Sequence, residues 1–328
     1  MTQMRQIVAL GAGRMGRGIA HAFAYAGHPV TLVDLKVRSP ADLEALEREA
    51  RAEIQGNLTL LAELGALSAE SIPGILSRIA FVGREAAPRA LASAEVAFEG
   101  VPEVMDAKRE AFAFACAHLP AAAVIASTTS TFVVDALCDF VIRPERFLNA
   151  HWLNPAYVIP LVEVSPHAAT SPSVLAQFKA LLESIGKVPV VCAAAPGFIV
   201  PRIQALAMNE AARMLEQGLA TPEDIDKATR YGFGFRFAAM GLVEFIDFGG
   251  VDILHYASDY LARELGDARY AAPALVNRLM HEGKIGLKSG EGFYQWRDRD
   301  IAAYRRDAMA RLLAMLRQVG LARSPAGG

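Results

Sequence analysis

A histidine and a glutamate, 163 − 151 = 12 residues apart, carry the clearest chemistry in this chain. They frame the run His151-Trp152-Leu153-Asn154-Pro155-Ala156-Tyr157-Val158-Ile159-Pro160-Leu161-Val162-Glu163. An imidazole exchanges a proton near neutral pH, and a carboxylate behind it fixes its tautomer and stabilises its cation. Far upstream lies a glycine-rich turn, Gly11-Ala12-Gly13-Arg14-Met15-Gly16. Glycines at this spacing let a backbone approach the pyrophosphate of a dinucleotide. A base together with a redox cofactor points to one reaction: a proton leaves an alcohol as hydride leaves its carbon.

Glycines also mark ordinary turns, so the context of the turn decides. Residues 6–10 form a continuous apolar run, as in a parallel strand buried on both faces. After the turn, Met15, Ile19, Ala20, Phe23 and Ala24 recur at helical spacing over 15–26. A second strand, Val30-Thr31-Leu32-Val33, ends on Asp34, 34 − 11 = 23 residues after the first glycine. That is the setting the dinucleotide fingerprint requires. Gly11, Gly13, Arg14, Met15 and Gly16 are the expected phosphate cradle, and Asp34 the expected partner of the adenosine ribose hydroxyls. A carboxylate there repels a 2′-phosphate, so the expected cofactor is NAD rather than NADP. Lys36 and Arg38 lie close enough to oppose that preference. The plain alternative is a glycine turn beside a surface aspartate.

Further strands are expected at Ile79–Val82, Ala94–Phe98, Val124–Ala126, Phe147–Ala150 and Val188–Cys192, with helices between most of them. The charge-rich segment 40–65 reads as a helical pair. Strands alternating with helices make an open α/β sheet. At Ala194-Ala195-Pro196-Gly197 the pattern turns helical and apolar, and Thr221-Pro222-Glu223-Asp224 is a strong helix start. We therefore expect an α/β domain over 1–193 and a helical domain over 194–328. Only the tail, Ser324-Pro325-Ala326-Gly327-Gly328, reads as unstructured.

Composition narrows the partners. The 328 residues are 53% hydrophobic and 21% charged, with a net charge of −2. That balance disfavours nucleic acid, which usually calls for a basic excess. No run approaches the length of a membrane span or a signal peptide. The three cysteines, Cys116, Cys138 and Cys192, are scattered and lack metal-type spacing. They read as reduced thiols of a cytoplasmic protein with no metal.

The chain resembles the 3-hydroxyacyl-CoA dehydrogenase family over almost its whole length. The resemblance rests on Gly11–Gly16, Phe98-Glu99-Gly100-Val101-Pro102-Glu103, Ala126-Ser127-Thr128-Thr129-Ser130, the His151–Glu163 run, Pro196-Gly197-Phe198-Ile199-Val200, and Gly286-Leu287-Lys288-Ser289-Gly290-Glu291-Gly292-Phe293-Tyr294, in matching order and spacing. It implies a Rossmann-type doubly wound sheet followed by an all-α C-terminal domain that pairs two subunits into a homodimer. It implies His151 as general base and Glu163 as the carboxylate orienting it. Ser130 would hydrogen-bond the reacting oxygen, Glu103 would lie near the nicotinamide, and Asn154 would belong to the substrate loop. Taken singly, His151 reads as a core histidine and Ser130 as a turn residue.

Three departures bear on the substrate. Where the family has asparagine after Gly-Phe-Ile-Val, this chain has Pro201, which lacks both a side-chain donor and a backbone N–H. The insert from Ser39 to Glu53 is acid-rich, a poor partner for the phosphates of coenzyme A. Arg236, in Gly234-Phe235-Arg236-Phe237-Ala238, resembles the branch containing L-gulonate 3-dehydrogenase (lambda-crystallin) and carnitine 3-dehydrogenase. An arginine fork suits a free carboxylate; otherwise Arg236 is a surface or interface residue. The expectation is an NAD-dependent dehydrogenase of a hydroxy acid or hydroxyacyl thioester, with the free acid favoured. The alternatives are a non-catalytic crystallin-like NAD binder and an aldehyde-oxidising relative.

Overall fold

The computed structural model describes residues 4–323. The expected unstructured tail, 324–328, lies outside them. Eight strands form one sheet: β1 (Ile7–Leu10), β2 (Val30–Val33), β3 (Ile79–Val82), β4 (Val96–Glu99), β5 (Val124–Ser127), β6 (Phe147–Trp152), β7 (Leu161–Pro166) and β8 (Val188–Val191). Their order is β3-β2-β1-β4-β5-β6-β7-β8. All neighbours run parallel except β6 and β7. Every residue of β1, β2, β4, β5 and β6 is buried, which explains why these strands are mostly apolar. The strand order reverses between β1 and β4, the switch point at which α/β sheets open a crevice.

β7 is the strand that sequence reasoning missed. Prolines stand just before it and at its end, and Glu163 interrupts its apolar run, so it does not read as a continuous strand. β6 also runs two residues beyond the expected Ala150, which carries His151 into the ladder.

Helices α1 (Arg14–Tyr25), α2 (Pro40–Glu63), α3 (Ile72–Leu76), α4 (Ala87–Leu91), α5 (Met105–His118), α6 (Val134–Cys138) and α7 (Pro172–Ser184) cover the sheet. Phe23 of α1 and Phe178 of α7 pack with Phe98 and Trp152 in one core. Phe112 of α5 and Leu137 of α6 pack with Val8, Leu10 and Phe147 in another. The expected helical pair at 40–65 is instead one long helix, α2. Ser39 caps it by accepting from the Asp42 amide, Pro40 starts it, and Arg48 and Arg51 pair with Glu44 and Glu47 one turn back. These local contacts outweigh Gly56, the one poor helix former inside it.

By its internal contacts the chain divides into two compact units after Leu206. The division falls within α8 (Val200–Glu216), because the start of this helix is hydrogen-bonded to β7. The second unit contains α9 (Pro222–Ala228), capped by Thr221 as expected, a π-helical turn over Thr229–Gly234, α10 (Phe235–Ala239), α11 (Leu242–Gly249), α12 (Val251–Glu264), α13 (Ala274–His281) and α14 (Ile301–Gln318). Its 286–294 motif is a structural knot. The fully buried carboxylate of Asp247 accepts from the amides of Phe293 and Tyr294 and from the Trp296 indole, each at 2.8–2.9 Å.

Candidate active site

His151 and Glu163 stand directly opposite each other across the antiparallel β6–β7 pair. Opposite residues of such a ladder share one face and bring their side chains together. The Glu163 Oε2 oxygen lies 2.8 Å from His151 Nδ1. Its other oxygen, Oε1, accepts from the amides of Ile199 and Val200, each at 2.8 Å. These amides belong to the entry turn of α8, where the helix dipole favours negative charge. A wholly buried carboxylate is thus matched by three donors. With Nδ1–H donating to Glu163, Nε2 is left as the proton acceptor.

Phe198 completes this arrangement, and sequence reasoning did not find it. Its ring stacks on His151 at 4.9 Å between centroids and 20° between planes. To reach that position its backbone takes φ +46°, a left-handed conformation costly for a bulky residue. Burial and stacking together hold the imidazole to one orientation.

The loops after β4 and β5 are held by an ion-pair network that composition concealed. Lys108, on α5 and 1% exposed, places Nζ 3.0 Å from the fully buried Glu99 at the end of β4. Glu99 also accepts from the Ser127 hydroxyl at 2.6 Å and the Val101 amide at 2.9 Å. The same ammonium reaches Glu103 at 3.1 Å. Glu103 accepts in addition from the Thr129 hydroxyl and from the Thr131 amide. Burial pushes the Glu103 carboxyl up, but Thr129, Lys108 and Thr131 outweigh it and hold it below the usual range. Thr129 is therefore the buried hydroxyl joined to Glu103. The Ser130 side chain is exposed and makes no hydrogen bond within the described residues. The visible clue was a lysine on an otherwise apolar face of α5, which alone reads as a snorkelling side chain.

The glycine turn fits a dinucleotide. Gly11 takes φ +105°, and a Cβ there would lie 2.6 Å from the Gly100 carbonyl. A Cβ on Gly16 would strike the Gly11 carbonyl at 1.9 Å, so the turn and α1 close together only without side chains. Gly13 faces open space and caps α1 without a side-chain bond, and the first turn holds no acid. Free helix amides beside an open space suit a pyrophosphate. Arg14 is exposed beside them and Met15 is half-buried. A cavity of about 380 Å³ is lined by Gly11, Gly13, Asp34, Arg38 and Gly100. A second, of about 390 Å³, shares Leu35 and Val101 and is walled by Val37, Ala107 and Phe114. Asp34 lies within the first cavity, with its carboxylate engaged by Arg38.

The remaining expected residues are dispersed. Asn154 is exposed and lines a small cavity of about 210 Å³ with Arg14, Asn57 and Tyr157. Pro201 is the second residue of α8, directly after the two amides that Glu163 binds. Arg236 belongs to the second unit; its Nε donates to the Gly232 carbonyl at 2.9 Å and its guanidinium lies 5.0 Å over the Phe245 ring.

Comparison with known proteins agrees with this geometry. Residues 6–195 match the 3-hydroxyacyl-CoA dehydrogenase NAD binding domain, and residues 197–296 match the C-terminal domain of the same family. The chain is 30% identical to 5-formyl-3-hydroxy-2-methylpyridine 4-carboxylate 5-dehydrogenase of Mesorhizobium japonicum, over 96% of this chain and 98% of that one. It is 35% identical to 3-hydroxyadipyl-CoA dehydrogenase of Escherichia coli, over 90% of this chain but 60% of that longer protein. Among solved structures, the 3-hydroxyacyl-CoA dehydrogenase of Archaeoglobus fulgidus superposes with a TM-score of 0.74 at 30% identity, over 97% of this chain and all of that one.

Proposed function

The chain belongs to the 3-hydroxyacyl-CoA dehydrogenase family, as an NAD-dependent dehydrogenase acting on a CH–OH group, and from that premise we propose that it oxidises the hydroxyl of a small hydroxy acid whose carboxylate is free. The observation that carries the chemistry is the buried His151–Glu163 pair. Nε2 of His151 takes the hydroxyl proton, while Glu163, held by the α8 amides, stabilises the imidazolium that forms. NAD, when bound, takes the hydride. Ser130 orients the reacting oxygen, Glu103 shapes the nicotinamide side, and Asn154 contacts substrate.

Helix α2 supports a free acid over a thioester. It holds two arginines against six acids, 2 − 6 = −4, and Arg48 and Arg51 are both engaged by its own glutamates. No lysine stands on it to meet the phosphates of coenzyme A. Arg236 is our candidate receiver of the carboxylate. One relative that matches nearly end to end is named as a dehydrogenase of a pyridine carboxylate bearing a formyl group. This favours a second reading, oxidation of an aldehyde as its hydrate, in which the same histidine takes a proton from one hydrate hydroxyl. Two subunits pair through the helical unit, and three thiols free of disulfides are consistent with a cytoplasmic setting.

NADH formation measured over 3-hydroxybutyryl-CoA, free 3-hydroxy acids and aromatic aldehyde acids tests the proposal. Free acids are expected to turn over best. Arg236→Met should then raise their KM roughly ten- to a hundred-fold, the loss of one charge-assisted hydrogen bond of about 1.5–3 kcal/mol. Efficient turnover of the thioester alone would overturn the free-acid reading.

A further inference from the structure

Asp34 does not act alone in its cavity. Its side chain is 6% exposed, and Oδ2 is engaged by Nε of Arg38, four residues on. Oδ1 is left to accept a ribose hydroxyl. The charged side chains lining the cavity are Arg17, Lys36 and Arg38 against Asp34 and Glu49, a balance of 3 − 2 = +1. Arg17 is already committed: it donates to the Ala12 carbonyl and pairs with Glu49 and with Glu53 outside the cavity. Arg38 lies in the loop before α2, where no helix constrains it.

A lone carboxylate at this point excludes a 2′-phosphate by like-charge repulsion. A guanidinium bound to the carboxylate cancels most of that repulsion at close range. The same group is also the one best shaped to receive phosphate oxygens. We propose that Arg38 sets how strongly this chain prefers NAD over NADP: by holding Asp34 it weakens the exclusion of the 2′-phosphate and gives that phosphate a partner. The inference rests on the nucleotide-binding role of the first unit and not on any substrate.

The test is a fluorescence titration of the full chain with NADH and with NADPH, without substrate. Arg38→Ala should raise the ratio of the NADPH to the NADH dissociation constant by about tenfold, the effect of roughly one charge-assisted contact. Asp34→Ala should narrow the ratio and tighten NADPH, because Arg38 is then free. Adding Arg38→Ala to that variant should weaken NADPH again. Arg38→Lys should keep part of the wild-type ratio, and Arg38→Gln repeats the test should the alanine variant fail to fold. A ratio within twofold of wild type in Arg38→Ala, a lower ratio, or equal loss of both nucleotides would overturn the proposal. No substrate is present, so this titration and the hydroxy-acid panel succeed or fail separately.

Discussion

A histidine whose Nδ1–H is held by a buried carboxylate has one nitrogen left for chemistry. Nε2 of His151 is that nitrogen, and Phe198 and Glu163 fix where it points. His151→Gln should cut turnover by roughly 10²–10⁴-fold, the usual contribution of a general base, while NADH still binds. Steady-state rates with a parallel NADH titration check both halves, and near-normal turnover would remove His151 from the mechanism. Glu163→Gln disturbs both the orientation of the imidazole and the hold on α8. Three donors face two carboxylate oxygens, and an amide offers only one acceptor. The variant should lose both rate and about 1–3 kcal/mol of stability, read by melting.

At the scale of elements, the connector between β6 and β7 is held from beneath. Lys187, just before β8, donates to the Ala156 and Ile159 carbonyls at 2.6 and 2.8 Å. Beside it, His21 of α1 is 1% exposed and stacks on Tyr157 of the connector at 4.3 Å. Among the described residues neither His21 ring nitrogen has a hydrogen-bond partner. Burial, and then the Lys187 charge, push the His21 pKa down from 6.5 to about 4. The unfolded chain therefore binds this proton more readily than the folded one. Stability is full above about pH 6.5 and declines as pH falls toward about 4, by about 3 kcal/mol at 1.36 kcal/mol per unit. His21→Phe keeps the ring and discards the proton. Melting temperatures measured from pH 7 to 4.5 should fall less steeply in the variant. The Glu103 contribution, also lost in acid, is common to both proteins. Parallel curves would refute the role of His21.

The whole molecule presents apolar surface that one chain does not cover. In the second unit Met208, Leu219, Tyr256 and Tyr260 are each 57–69% exposed, and Phe233 is 42% exposed. A cavity of about 650 Å³ there is lined by Ala207, Met214, Ile225 and Phe233. We propose that a second copy of the chain covers these side chains. Sedimentation at micromolar concentration should find a dimer, and Met208→Glu with Phe233→Asp should shift it toward monomer. A monomeric wild type would refute the pairing. Among the described residues no helix is long and apolar enough to cross a membrane.

Residue types at short range carried the nucleotide fingerprint and the strands of the sheet's centre. Glycine spacing, an apolar run and an aspartate at a strand end are local properties, and each reads directly from the chain. His151 and Glu163 were legible as a base and a carboxylate, and the resemblance assigned their roles; β7 itself was not legible, and its antiparallel register with β6 sets the two side chains face to face. Contacts between distant segments were not legible at all. Lys108 with Glu99, Phe198 over His151, and Thr129 on Glu103 depend on which loop ends the sheet gathers at one edge. The same holds for Arg38: sequence placed a cation near Asp34, but only the folded loop joined the two. Spacing determines what a helix or strand can be. Burial decides which charges must find each other, because a buried charge without a partner is too costly to keep.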